Sequence, residues 1–260
     1  MMFSSNPFAA LSVAPAVTQT YVVIMILLVV GGTLFDVLHK RSARYFFDNW
    51  RHARSRGNRP INGAHMVSLA VQACAVDVLA SGEFCNLRRR IAHLLTMYGF
   101  VAYLVTTLAM VFGYPTSATP TPAIWPLLWY LGIVMVCGGG YWFWFFIRVD
   151  VAAEGHAPWR IVRADLFILS LLVSTSMAFI WGLLQTAESP AADVFLGLYV
   201  IATTVLFGSV PWSKFSHMFY KPAIAFQKRV ADADGSRSNL PAPADKPEVL
   251  GRITELPRHY

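Results

Sequence analysis

Charge is scarce in this sequence. Only 13% of its 260 residues are Asp, Glu, Lys or Arg, about half the share found in soluble domains. Mean hydropathy is +0.50 and 56% of residues are hydrophobic. These figures exclude an ordinary soluble domain and leave a polytopic membrane protein with polar connections. Metal motifs are lacking as well. The cysteines Cys74, Cys85 and Cys137 have no zinc or iron–sulfur spacing, so three small buried thiols are expected. There is no nucleophile constellation and no nucleotide loop, which argues against a complete enzyme. No internal repeat appears and no charge lies deep in an apolar run, which weighs against a small-solute transporter. The net charge of +7 does not indicate nucleic acid, because the basic residues flank apolar runs instead of striping a soluble helix. Ahead of the first run, MMFSSNPFAALSVAPAVTQT lacks the basic start of a cleaved signal peptide. That run is therefore expected to stay as an anchor.

What is present is a set of apolar runs of the length a bilayer asks for, about 20 residues each. The expected fold is all-α: an integral membrane bundle of five transmembrane helices over about 20–38, 90–112, 124–147, 166–184 and 193–210. They form a membrane domain over 1–230, and a polar, proline-rich cytoplasmic tail follows over 231–260. Residues 39–89 form a basic and amphipathic cytoplasmic connection. Its first part holds Lys40, Arg41, Arg44, Arg51, Arg54, Arg56 and Arg59 against the single acid Asp48, with Tyr45, Phe46, Phe47 and Trp50 interleaved. That mixture suits a helix at headgroup level or a dock for an acidic protein. Its second part, His65–Ala80, is apolar but short, and Gln72 and Asp77 interrupt it. It reads as a helix at the cytoplasmic surface or beneath the bundle. Asp77 pairs with an arginine of the basic segment or, on a sharper reading, takes up protons for a quinone.

Orientation follows from the positive-inside rule. With five spans and the N-terminus outside, all 21 Lys and Arg fall on the cytoplasmic side. The external loops then carry only Glu188 and Asp193, and the first of them holds four prolines (115, 120, 122 and 126). A sixth span at His65–Ala80 would destroy that separation.

Two stretches carry possible chemistry. In RRRIAHLLTMYGFVAYLVTTLAMVF, His93 sits just inside the second span behind Arg88, Arg89 and Arg90; in PWSKFSHMFYKP, His217 follows the fifth span. Two neutral imidazoles at equal depth on facing helices can hold a b-type haem. That requires the helix to run on past Pro211 as far as Tyr220. The three arginines and Lys214 are placed to neutralise propionates, while Gly99 and Gly208 leave room for a flat ring. From the residues alone, interfacial hydrogen-bonding anchors are the commoner role for such histidines. His39, His52, His65, His156 and His259 read as surface groups, with His65 a distant replacement ligand. Gly138, Gly139 and Gly140 suit close packing, a kink or a cofactor face. Ser170, Ser174, Thr175 and Ser176 can bond within their helix or across to a neighbour.

RRIAHLLTMYGF and PWSKFSHMFYKP together resemble the nitrate reductase gamma-subunit-like superfamily of five-helix cytochrome b membrane anchors. The matching patterns are R-x-x-H-x-x-x-x-x-G-F and P-[FW]-S-K-x-x-H. The resemblance implies that His93 and His217 ligate the iron of one haem b. Two-haem members carry a further histidine about ten residues on, where this chain has Tyr103, and a partner near Tyr199. The resemblance therefore implies no outer haem here. Within the superfamily, HMFYKPAIAFQKRVADADGSRSNLPAPADKPE is similar to the membrane anchors of dissimilatory adenylylsulfate reductase of sulfur-oxidising bacteria. What that implies is a multi-pass subunit of the bacterial inner (cytoplasmic) membrane. It would pass electrons between a cytoplasmic flavin and iron–sulfur oxidoreductase, such as adenylylsulfate reductase, and the quinone pool. A haem-free anchor that binds quinone directly stays open beside it. Membrane lipid is the remaining expected partner.

Overall fold

The computed structural model describes residues 3–39, 42–82, 84, 86–148, 161–162, 165–212 and 217–236. Among them all regular structure is helical, in the order α1 (Pro15–His39), α2 (Ser42–Arg56), α3 (Gly63–Gln72), α4 (Leu87–Leu108), α5 (Ile124–Trp142), α6 (Leu166–Thr186), α7 (Ala192–Gly208) and α8 (His217–Ala233). Wide π-helical turns prolong α3 to Leu79, α4 to Gly113 and α5 to Ile147. Four helices are long and apolar enough to cross a membrane: Pro15–His39, Leu87–Gly113, Ile124–Ile147 and Leu166–Thr186. Helix α7 is equally apolar but shorter, as is Gly63–Leu79.

The chain divides into two compact units, Met1–Lys40 with Leu87–His217, and Arg41–Asn86 with Met218–Tyr260. In the first, α5 packs on α4 and α6, α7 packs on α6 and α1, and α1 meets the π-helical end of α4. The α4–α5 seam is built from small residues in antiparallel register. A Cβ on Gly99 would lie 2.7 Å from Gly132 O, and one on Gly139 would lie 2.6 Å from Ala92 O. Only hydrogen side chains permit that backbone approach, which is how apolar helices associate where lipid tails compete for every apolar face. Of the three consecutive glycines, Gly139 faces α4 and Gly140 faces Leu172 of α6, while Gly138 has nothing within 4 Å. Packing accounts for two of the three.

The hydroxyls of α6 divide between their two options. Ser170 donates to Leu166 O and Thr175 to Leu171 O within the helix. Ser174 reaches across to Thr203 at 2.7 Å, and Ser176 to Tyr141 at 2.8 Å. At the end of the bundle holding Arg148, the Asp165 carboxylate takes two hydrogen bonds from that guanidinium and a third from Val162 N. Arg148 also lies 3.9 Å over the Trp144 ring. The expected polar connection between these two residues falls mostly at 149–160 and 163–164, outside the described residues; Glu154, His156, Arg160 and Arg163 go with it.

At the other end, residues 3–14 fold back over the helices. Asn6 donates its amide to Tyr114 O and Thr121 Oγ1 and accepts from Phe8 N. Phe8 meets Trp129 at 5.7 Å and Trp181 at 5.0 Å edge-on, and Gln185 donates to Ala10 O. Both tryptophans are fully buried, and their indole N–H groups find Thr107 and Gln185, as a buried polar edge requires.

The second unit holds α2, α3 and α8. Asn62 caps α3 by accepting from His65 N at 2.8 Å. Trp50 of α2 stacks on Phe226 of α8 at 5.7 Å, Lys221 lies 4.7 Å over the Phe84 ring, and Asn58 and Arg59 donate their N–H groups to Asp234 O. Cys74 is exposed, against the expectation of three buried thiols; Cys137 is half-buried between Thr175 and Ser176, and Cys85 lies outside the described residues.

Candidate functional site

His93 is the seventh residue of α4, about 9 Å along the helix axis from its start. Its side chain is half-buried. Helical spacing puts it on one face with Phe100, Leu104 and Val111; Phe100 and Val111 are buried and Leu104 packs against the core. The histidine thus belongs to the inward stripe of α4, close to the end where Arg88, Arg89 and Arg90 make the first turn. Three cations at a helix N-terminus oppose the helix dipole, so helix stability does not explain their place.

The second ligand position differs from its expectation. Helix α7 ends at Gly208, and residues 209–212 form a turn closed by Trp212 N donating to Ser209 O at 2.9 Å. The helix does not continue through Pro211 to Tyr220. Proline lacks the N–H that continuation needs and crowds the preceding turn, and His217 instead opens α8 as a separate helix. The placement of the His217 side chain and of Lys214 lies outside the described residues, so the structure does not bring the two imidazoles together or set them apart.

The two glycines expected to make room for a ring behave differently. The hydrogen face of Gly99 is filled by α5, with Gly132 O and Met135 Cβ both 2.7 Å from a Cβ placed there, whereas Gly208 has nothing within 4 Å. Gly208 lies nine residues from Tyr199, the residue of α7 that meets α4, so its open side is turned away from α4, and neither glycine makes room for a flat group beside His93.

Ten residues beyond His93, Tyr103 meets Tyr199 of α7 hydroxyl to hydroxyl at 2.5 Å. Both are buried, and Tyr199 stacks on Trp181 with centroids 5.6 Å apart. This phenol pair bridges α4 and α7. Tyr21 of α1 adds a third phenol nearby, bonded to Val200 O and Thr204.

Two acids carry interactions that their sequence context hid. Asp36 reads as the exit of the first span, yet it is only 3% exposed. It lies one turn beyond Gly32, whose Cβ position is 3.0 Å from Val210 and 3.1 Å from Pro211, so it faces the end of α7. A lone acid three positions from the end of an apolar helix was the available signal. Asp77 does pair with an arginine, but with Arg229 of α8 and not with the basic segment: Nε to Oδ2 is 2.5 Å and Nη2 to Oδ1 is 2.8 Å. Gln72 takes a third bond from the same guanidinium at 3.1 Å.

His65 is exposed, with only its backbone engaged at the α3 cap. His39 stacks on Phe35, and His52 bonds Asp48 O within α2. His259 lies outside the described residues. Compared with family models, with curated proteins and with solved structures, the chain matches none.

Proposed function

We propose that the chain is a membrane anchor and electron-transfer subunit. It would link a cytoplasmic oxidoreductase, such as adenylylsulfate reductase, to the quinone pool of a bacterial inner membrane. The observation that carries this reading is His93: a half-buried imidazole on the inward stripe of an apolar helix, behind three arginines, within a segment that resembles the cytochrome b anchors. Helix α7 counts as the fifth span in this reading. Its 17 residues cover about 25 Å, and the turns at either end make up the rest of the bilayer core. Five spans place the N-terminus outside and the C-terminus in the cytoplasm, with every Lys and Arg on the cytoplasmic side.

His93 and His217 are the residues that would hold a haem b, and when bound the haem supplies a one-electron carrier. Gly208 is open but turned away from α4, nine residues from Tyr199, and Gly99 is filled by α5, so neither glycine makes room for the ring. Arg88, Arg89 and Arg90 would hold its carboxylates at the interface, where a paired charge costs less than in the hydrocarbon. A haem-free, quinone-binding anchor is the second reading, favoured by the tight α4–α5 seam at Gly99.

The reduced-minus-oxidised optical spectrum of the purified chain separates the two. The first reading expects b-type bands that vanish in His93→Ala and in His217→Ala. Wild-type protein with no such bands leaves the haem-free anchor. Quinone-linked electron delivery to added adenylylsulfate reductase, measured in membranes with and without the chain, tests the partner.

A further inference from the structure

We propose that the outer face of α3 and its π-helical extension, Gly63–Leu79, lies in the lipid surface as a helix that enters the membrane interface without crossing it. The helix is two-faced. Leu69, Ala73 and Asp77 recur every four residues and are buried. On the opposite side Val67 is 64% exposed and Val71 60%, with Ala64, Cys74 and Ala75 also exposed. No charge lies on that outer side. The one charged residue in the segment, Asp77, is turned inward and neutralised by the bidentate bond from Arg229. Desolvating this face therefore strands no unpaired ion, which would be the main cost of moving it into lipid.

The neighbourhood argues for lipid as the occupant. This unit follows directly on α1, which ends at His39, and runs directly into α4, which begins at Leu87; both helices are apolar and long enough to cross a membrane. Its covalent attachments thus hold it at a bilayer boundary. Helix α2 is strongly basic, with Arg44, Arg51, Arg54 and Arg56 against Asp48, which suits anionic headgroups at about 1 kcal/mol per basic residue. The 17 residues of Gly63–Leu79 reach about 25 Å, short of a full crossing of about 30 Å.

The native Cys74 makes this testable. A spin label on Cys74, in the full chain carrying Cys85→Ser and Cys137→Ser and held in nanodiscs of phosphatidylcholine and phosphatidylglycerol, is read for collisions with oxygen and with a water-soluble nickel chelate. Oxygen-dominated collisions are expected, and Val71→Asp should shift them toward the chelate. Chelate-dominated collisions, or exclusion of both reagents by covering protein, overturn the proposal. The unsubstituted chain provides the second reading. After photolysis in the same nanodiscs with a diazirine-bearing phospholipid, adducts are expected within 63–79, and adducts confined to the long apolar helices overturn it.

Discussion

Tyr103 and Tyr199 are each other's hydroxyl partners at 2.5 Å in a buried setting, so what one contributes depends on the other. Tyr103→Phe or Tyr199→Phe alone leaves a phenol hydroxyl short of a partner, and each is expected to cost about 1–2 kcal/mol. The double variant should cost little more than one single, a coupling of about 1 kcal/mol, read from thermal unfolding in detergent. Asp77→Ala takes from the Arg229 guanidinium its carboxylate and leaves it the Gln72 bond. Because the arginine side chain keeps 27% of its surface exposed, the loss should be about 1–3 kcal/mol, below the range for a fully buried pair. Adding Arg229→Met should recover part of it in the same melt. Neither partnership is legible along the chain. Asp77 and Arg229 are 152 positions apart, and a carboxylate in an apolar segment announces that it needs a cation without saying which. The tyrosines were visible as positions lacking histidine, but only the structure shows that their hydroxyls meet each other across α4 and α7.

Among the elements, α4 and α5 are held by glycines that face each other. Gly99→Ala puts a methyl carbon 2.7 Å from backbone and Cβ atoms of α5, and the helices have to part. The expected loss is about 1–3 kcal/mol, outweighing the helix propensity gained, about 1 kcal/mol. Gly138→Ala meets open space and keeps the propensity gain. Opposite shifts in melting temperature for the two variants check the register. The apolar runs themselves were plain in the sequence, because charge is rare enough to punctuate them. What each glycine faces was not, since a missing side chain leaves no periodic signal. The break after Gly208 was half legible: Pro211 stood in view, but whether a helix survives a proline depends on whether neighbours can satisfy the freed carbonyls. Residues 3–14 gave no signal of docking. They have neither helical period nor charge, and their place is decided by Phe8 meeting two tryptophans from different helices.

For the whole molecule, the asymmetry of charge is the governing fact. All 21 Lys and Arg lie to one side of a five-span reading, and a translocating chain retains such residues on the cytoplasmic face. Reporter fusions should therefore give an exported signal at the N-terminus and a cytoplasmic one after Ser236; both signals on one side would mean that α7 does not cross. The capped end of the bundle adds a condition in time. Residues 3–14 leave the ribosome before every group they bind, since Tyr114, Thr121, Trp129, Trp181 and Gln185 are all synthesised later. In the five-span reading this segment waits outside, unseated, until α6 has been inserted. A nascent chain stalled before Gln185 should leave its N-terminus open to external protease, while the finished chain protects it.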